Sequence, residues 1–201
     1  MNWGYKTIPQ EHCNGREIDI SRGKGLGGSS AINFSVYLYG ARDDYDEWAS
    51  LVGDDSFQWN RMQPRFKNLE NFNDAILSTA NVRYASPNPS GHGTKGPLHT
   101  SYAAEWDRDL PLMMDIFEEI GLPLNLNVNS GNPIGVSLFV NSTRQGVRAT
   151  AADLLLNAPD NLTILTKSPV HRVIMQGTKA VGVETKGDQC IYVSDPDKKS
   201  T

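Results

Sequence analysis

Apolar side chains recur at helical spacing in some stretches and alternate in others, so the sequence reads as a mixture of helices and strands. Tyr45, Trp48 and Leu51 lie at three-residue intervals and predict a helix from about Asp43, with Asp43 or Asp44 placed to cap it and Gly53 suited to close it. Trp59, Met62, Phe66 and Leu69 form a second stripe over residues 59 to 70. Pro64 sits inside that stripe without an amide to give, and argues against the helix or for a later start. Leu110, Met113 or Met114, Phe117 and Ile120 predict a third helix from about Glu105 to Ile120, closed by Gly121. Thr150 followed by Asp153 has the spacing of a capping box, opening a short helix from Ala151 to Leu156 that Pro159 ends.

Strand signals are shorter. The first 20 residues read as irregular and extended, with Ile18, Asp19 and Ile20 alternating as one short strand. LTILT, VHRVIM and AVGVET predict successive strands after residue 160, and CIYV is a further apolar run beginning at Cys190. Between Asn71 and Thr100 the segment SPNPSGHGTKGP supplies Pro and Gly in quick succession, which predicts a surface excursion rather than core. Helices and strands do not alternate regularly, so the fold class is mixed, α/β or α+β.

Composition narrows the partners. Lys and Arg number 19 against 23 Asp and Glu, for a formal net charge of -4, so there is no basic excess to displace counterions from a nucleic acid. Mean hydropathy is -0.44, and no run approaches the roughly 18 apolar residues of a membrane span. The opening MNWGYKTIPQEHC lacks the charged and apolar regions of a secretory signal, so neither a membrane nor secretion is expected and the cytoplasm is the default compartment. Cys13 and Cys190 stand at opposite ends with no metal-type spacing, so no disulfide framework and no metal site is expected.

The strongest local feature is the run from Arg22 to Asn33, RGKGLGGSSAIN, with glycine at 23, 25, 27 and 28. Such density lets backbone N–H groups converge on a phosphate, and Ser29 and Ser30 add hydroxyl donors. Gly23, Gly25 and Gly28 satisfy GxGxxG, yet the following INFSVYLYG is β-branched and aromatic where a dinucleotide fold needs a helix. A phosphate cradle and a ligand-free glycine turn are both open on these residues alone.

The wider pattern resembles a known family. Residues 22 to 48, RGKGLGGSSAINFSVYLYGARDDYDEW, are similar to the first signature of the glucose-methanol-choline (GMC) family of FAD-dependent alcohol oxidoreductases. WGYKTIPQ, WNRMQPRFKNLE, GHGTKGPLHTS and GVRATAADLLL resemble further segments of that family, as do the strands behind the last of them. The family's usual Tyr-x-Arg-Gly is permuted here to Tyr39-Gly40-Ala41-Arg42. The resemblance implies FAD as cofactor, with Gly25, Gly27, Gly28, Ser29 and Asn33 beside the flavin and its diphosphate. It further implies Phe34, Ser35 and Val36 along the isoalloxazine edge, and the Val170 backbone at the adenine.

The same resemblance implies a partial FAD-binding domain of GMC type with part of a substrate-binding domain. Residues 1–70 and 146–201 would be FAD-binding segments and residues 71–145 the substrate-side segment. Its reaction would be oxidation of the CH–OH group of a small-molecule alcohol. The family's opening βαβ unit does not precede Trp3, and its substrate-side His does not follow. The expectation is therefore a fragment with no catalytic residue of its own, which alone neither holds FAD tightly nor turns over. The alternative is a non-catalytic nucleotide-binding or interaction module derived from such an enzyme.

His171 reads as a strand residue, His92 lies in a Gly-flanked loop, and His12 and His99 have no carboxylate or Cys at useful spacing, so none is expected to serve as a general base. Asp43, Asp44, Asp46 and Glu47 read as a solvated helix start rather than a metal site. Asn141 and Asn161 open glycosylation sequons relevant only in a secreted protein. Asn33 opens another, at a site expected to be buried.

Overall fold

The computed structural model describes residues 1–73, 82–85, 89–187 and 189–193. The chain divides into two compact units, Met1–Asn157 and Ala158–Thr201.

The first unit opens with strands β1 (Tyr5–Lys6) and β2 (Asp19–Ile20), paired antiparallel. Strand β3 (Val36–Tyr37) follows the glycine run, so INFSVYLYG is indeed extended. Helix α1 covers Arg42–Val52 and closes on Gly53, whose φ of 67° is the left-handed C-cap that glycine adopts freely. The expected cap does not form: Ala41 holds the N-cap position, and Asp43 and Asp44 lie in the first turn, where they face the positive end of the helix dipole. Asp46 instead accepts a hydrogen bond from the Trp59 amide at 2.9 Å, tying α1 to the start of the next helix.

Helix α2 covers Trp59–Leu69 with Pro64 inside it, so the proline neither blocks the helix nor delays its start. Its ring removes one backbone bond, and the apolar stripe outweighs that loss: Trp59 is buried, while Phe66 stacks on Tyr39 with centroids 4.9 Å apart. Strand β4 (Glu70–Asn73) continues directly from α2. Strand β5 (Leu98–Ser101) pairs with it in parallel. Helix α3 covers Leu110–Glu119, beginning later than the sequence pattern suggests because Pro111 occupies its first turn, and Gly121 follows at φ 97°. Short strands β6 (Val140–Asn141), β7 (Thr143–Arg144) and β8 (Val147–Arg148) come next, β7 pairing with β8.

One four-stranded sheet runs β3-β6-β5-β4. The core sits on it: Ala85, Tyr102 and Val140 are buried, with Tyr37, Phe72, Trp106 and Leu138 packed around them.

The expected surface excursion is overturned here. Residues 74–81 and 86–88 lie outside the described residues, but Gly91, His92, Gly93, Gly96, Leu98 and Thr100 are buried. The glycines there mark close packing rather than turning. A Cβ on Gly93 would stand 1.8 Å from the Lys67 carbonyl oxygen, and one on Gly96 would stand 2.2 Å from the Leu69 carbonyl.

The second unit is an antiparallel meander in the order β11-β10-β9, built from β9 (Val170–Gln176), β10 (Lys179–Thr185) and β11 (Gln189–Tyr192). The expected strand at LTILT does not form, and the CIYV run supplies β11, which pairs with β10.

Candidate functional site

The glycine run is a folded loop with two distinct sides. One side is packed. A Cβ on Gly23 would lie 2.0 Å from the Gly28 carbonyl oxygen, and one on Gly27 would lie 3.2 Å from Thr150 Oγ1. Only glycine allows these two backbone segments to meet. The other side is open: Gly25 and Gly28 hold φ of 144° and 55°, and a Cβ at either would meet nothing within 4 Å. The loop then winds into a single 3-10 turn, Gly28–Ala31.

Neighbouring segments fix the loop in place. Trp3 N–H donates to the Arg22 carbonyl at 2.9 Å and Lys24 N–H to that of Met1 at 2.8 Å, so the N-terminal residues run alongside it. Ser29 Oγ accepts from Gly23 N–H at 3.1 Å, which leaves its own O–H to donate outward. Ser30 Oγ donates to the Gly27 carbonyl and accepts from Ala151 N–H at 2.9 Å.

That last contact ties the loop to the 3-10 helix Ala151–Leu155, whose start carries the expected capping box. Thr150 Oγ1 accepts from Ala152 N–H at 3.2 Å, and Asp153 Oδ2 accepts from Thr150 N–H at 2.7 Å. The expected helix is thus present, in 3-10 form. Arg148 reaches across from β8, donating to Asn33 Oδ1 at 2.8 Å and to the Ser30 carbonyl at 3.2 Å.

Gly25, Gly27, Gly28, Ser29, Asn33, Phe34, Ser35 and Val36 all belong to the first unit, Gly27 on the packed side of the loop and Gly25, Ser29, Asn33, Phe34 and Val36 exposed. Asn33 and Phe34 are exposed, Phe34 at 94%, which corrects the expectation that the Asn33 sequon is buried; only Ser35 is, at 7%. Ser35 adopts φ 63°, with its N–H donating to Asn33 Oδ1 at 3.0 Å and its carbonyl accepting from Ser142 N–H at 2.7 Å. Asn33 thereby commits its oxygen to the loop and keeps its amide N–H groups as donors. Val36 and Leu38 are exposed while Tyr37 between them turns inward. Val170 belongs to the second unit, where it opens β9 opposite Thr185 and is 54% exposed.

These features fit a flavin dinucleotide. A side chain would fill the open faces at Gly25 and Gly28, and the outward Ser29 hydroxyl and Asn33 amide are donors suited to phosphate and to a polar ring edge. Phe34 and Val36 supply exposed apolar surface alongside.

A second cluster is buried in the first unit and is absent from the sequence expectations. Glu70, 0% exposed, accepts from Tyr39 Oη at 2.6 Å, His92 Nδ1 at 3.0 Å, Gly93 N–H at 2.9 Å and Thr100 Oγ1 at 2.9 Å. Four donors and no acceptor require an ionised carboxylate and place a proton on His92 Nδ1. Burial raises the Glu70 pKa, but His92, the Tyr39 hydroxyl and the Gly93 amide outweigh it and hold the carboxyl below its usual range.

The surrounding phenols move the other way. Burial first, and the Glu70 charge second, push Tyr102 up to about 12; burial, together with interactions with Glu70, raises Tyr37 and Tyr39 as well. His92 stacks on Phe72 with centroids 4.1 Å apart, and its Nε2 is buried without a hydrogen-bond partner among the described residues. The one available sequence signal was an acidic residue at the end of an amphipathic stripe, followed by a Gly-flanked His in the run GHGTKGP. Periodicity alone does not join the two.

The GMC oxidoreductase family model matches residues 9–197. Pyranose dehydrogenase 3 of Leucoagaricus meleagris is 31% identical over 180 residues, covering 88% of this chain and 30% of that protein. Oxygen-dependent choline dehydrogenase of Stenotrophomonas maltophilia (strain R551-3) is 34% identical over 189 residues, covering 91% and 31%. Among solved structures, pyridoxine 4-oxidase from Mesorbium loti is similar with a TM-score of 0.78 at 30% identity, over 95% of this chain and 37% of that one. An FAD-dependent oxidoreductase from Chaetomium thermophilum is similar at 0.82 and 26% identity, over 96% and 35%. The chain thus spans about a third of the length of the relatives it matches.

Proposed function

The chain belongs to the GMC oxidoreductase family, and on that basis we propose that it forms the flavin-holding cradle of an FAD-dependent enzyme oxidising the CH–OH group of a small-molecule alcohol. Residues 1–70 and 146–201 are its FAD-binding segments, and residues 71–145 its substrate-side segment. The observation that carries the reading is the open glycine face at Gly25 and Gly28 beside the exposed Ser29, Asn33 and Phe34. The names of the relatives, a pyranose dehydrogenase, a choline dehydrogenase and a pyridoxine oxidase, support an alcohol as the substrate class.

When bound, FAD supplies the acceptor for the hydride leaving the alcohol carbon. The residues of this chain bind and orient it. Backbone N–H groups at Gly25 and Ser29 and the Ser29 hydroxyl donate to the diphosphate, while the Gly28 N–H is kept by the Gly25 carbonyl at 3.0 Å. Asn33, held by Arg148, presents its amide to the flavin, with Phe34 and Val36 along the ring edge. The Val170 backbone takes the adenine. His92 is closed off from substrate, being 6% exposed and engaged with Glu70, so no proton transfer is assigned to it.

Titrating FAD against the chain and following flavin fluorescence tests the proposal. Saturable one-to-one binding of modest affinity is expected. Gly25→Val should weaken it about tenfold or more while the thermal midpoint stays that of a folded protein, because the side chain fills the open face and resists a φ of 144°. A folded chain that leaves FAD fluorescence unchanged throughout the titration overturns it.

A further inference from the structure

Every polar group of Tyr39 is held by a different part of the first unit. Its N–H donates to Asn129 Oδ1 at 2.9 Å, from the 3-10 turn Val128–Ser130. Its carbonyl accepts from Tyr45 Oη at 2.5 Å, on α1. Its hydroxyl donates to Glu70 Oε2 at 2.6 Å, at the start of β4. The ring is 3% exposed and packs between Phe66 and an edge-on Tyr37. Asn129, itself 0% exposed, also donates from Nδ2 to the Tyr37 carbonyl at 3.2 Å, so the same turn grips the strand twice.

Four residues upstream, Ser35 sits at φ 63° and Asn33 faces outward. A segment carrying a strained residue keeps its course only where both sides of it are fixed. Asn33 and Ser142 fix one side, through Ser35. Tyr39 fixes the other.

We infer that Tyr39 is a positioning residue: anchored by Asn129, Tyr45 and the buried Glu70 carboxylate, it sets the path of the Asn33–Leu38 segment and thereby the presentation of Asn33, Phe34 and Val36. The consequence for FAD rests on the function proposed above; the anchoring itself does not. Glu70 acts through Tyr39, and its other donors serve to keep the carboxylate charged and in place.

The test compares Tyr39→Phe with Thr100→Val. Each deletes one hydroxyl donor to Glu70, but only the first lies next to the Asn33–Leu38 segment in the chain. Residue-resolved amide exchange on the whole chain is the flavin-independent readout. Tyr39→Phe should speed exchange at Ser35, Tyr37 and Tyr39 about tenfold beyond any change in α3, whereas Thr100→Val should leave that contrast as in the wild type. In the FAD titration, Tyr39→Phe should weaken binding about tenfold and alter the visible circular dichroism of bound flavin, and Thr100→Val should do neither.

Equal exchange patterns in the two variants, or unchanged exchange at Ser35 to Tyr39 in Tyr39→Phe, would overturn the inference. A wild type that takes up no FAD sinks the flavin reading alone, and the exchange contrast still decides the anchor. Should Tyr39→Phe not fold, Tyr45→Phe removes the bond to the Tyr39 carbonyl instead, with the same expected and contrary outcomes.

Discussion

Glu70 spreads four partners over its two carboxylate oxygens, and this arrangement decides what substitution there does. Oε1 takes Thr100, Oε2 takes Tyr39 and Gly93, and His92 Nδ1 lies 3.0 Å from Oε1 and 3.2 Å from Oε2. Glutamine is neutral and has one acceptor oxygen, so its NH2 group is met only if the Thr100 or Tyr39 hydroxyl turns to accept or His92 changes tautomer. Glu70→Gln should cost about 3 kcal/mol or more of unfolding free energy, measured by urea titration at pH 7. The pH dependence follows from the lowered folded-state pKa. The stabilisation is fully present above the unfolded carboxyl value of about 4.3 and is lost as pH falls through the lower folded value. The wild type should therefore lose stability in acid more steeply than Glu70→Gln, and parallel curves would contradict the assignment of charge. At Gly23 the argument is steric. A methyl 2.0 Å from the Gly28 carbonyl forces the loop apart, so Gly23→Ala should lower stability by about 1–3 kcal/mol and weaken FAD binding in the same titration.

Among the elements, the capping box was legible because its chemistry is local. Thr150 and Asp153 satisfy each other within one turn, and the sequence shows both. Thr150→Ala should cost about 1 kcal/mol by denaturant unfolding, with a further loss of FAD affinity, because the same turn seats Ser30 and the Gly27 backbone. Pro64 misled for the opposite reason. Its local penalty is visible in sequence, while the packing of Trp59 and Phe66 that outweighs it is not. Since the missing amide remains a cost, Pro64→Ala should raise stability by about 1–3 kcal/mol, and a fall instead would show that the ring itself packs. The glycines at 93 and 96 read as turn residues and prove to be points of contact with α2 and its junction with β4. A distinction between turning and close approach needs the neighbour's position, which periodicity does not hold.

For the molecule as a whole, the mixed class, helices α1, α2 and α3 and the extended course after the glycine run were readable from spacing and residue type. The strands of the second unit were readable too, though not their pairing, and the strand expected at LTILT does not form. The four-stranded sheet was not, because β3 and β6 lie far apart in sequence and each contributes only two residues. The residues of the glycine run were legible as a motif, whereas the hydrogen bonds of Arg148, Ser142 and Tyr39 emerge only when distant segments meet. No helix among the described residues is long and apolar enough to cross a membrane. The central claim is that the backbone from Arg22 to Val36 wraps a flavin dinucleotide. Mapping amide chemical-shift changes in the isotopically labelled chain on addition of FAD tests it most directly. Shifts concentrated at Gly25, Gly28, Ser29 and Asn33–Val36, with a second set at Val170, are the result this account predicts; saturating shifts confined to other surfaces, or none at all, would contradict it.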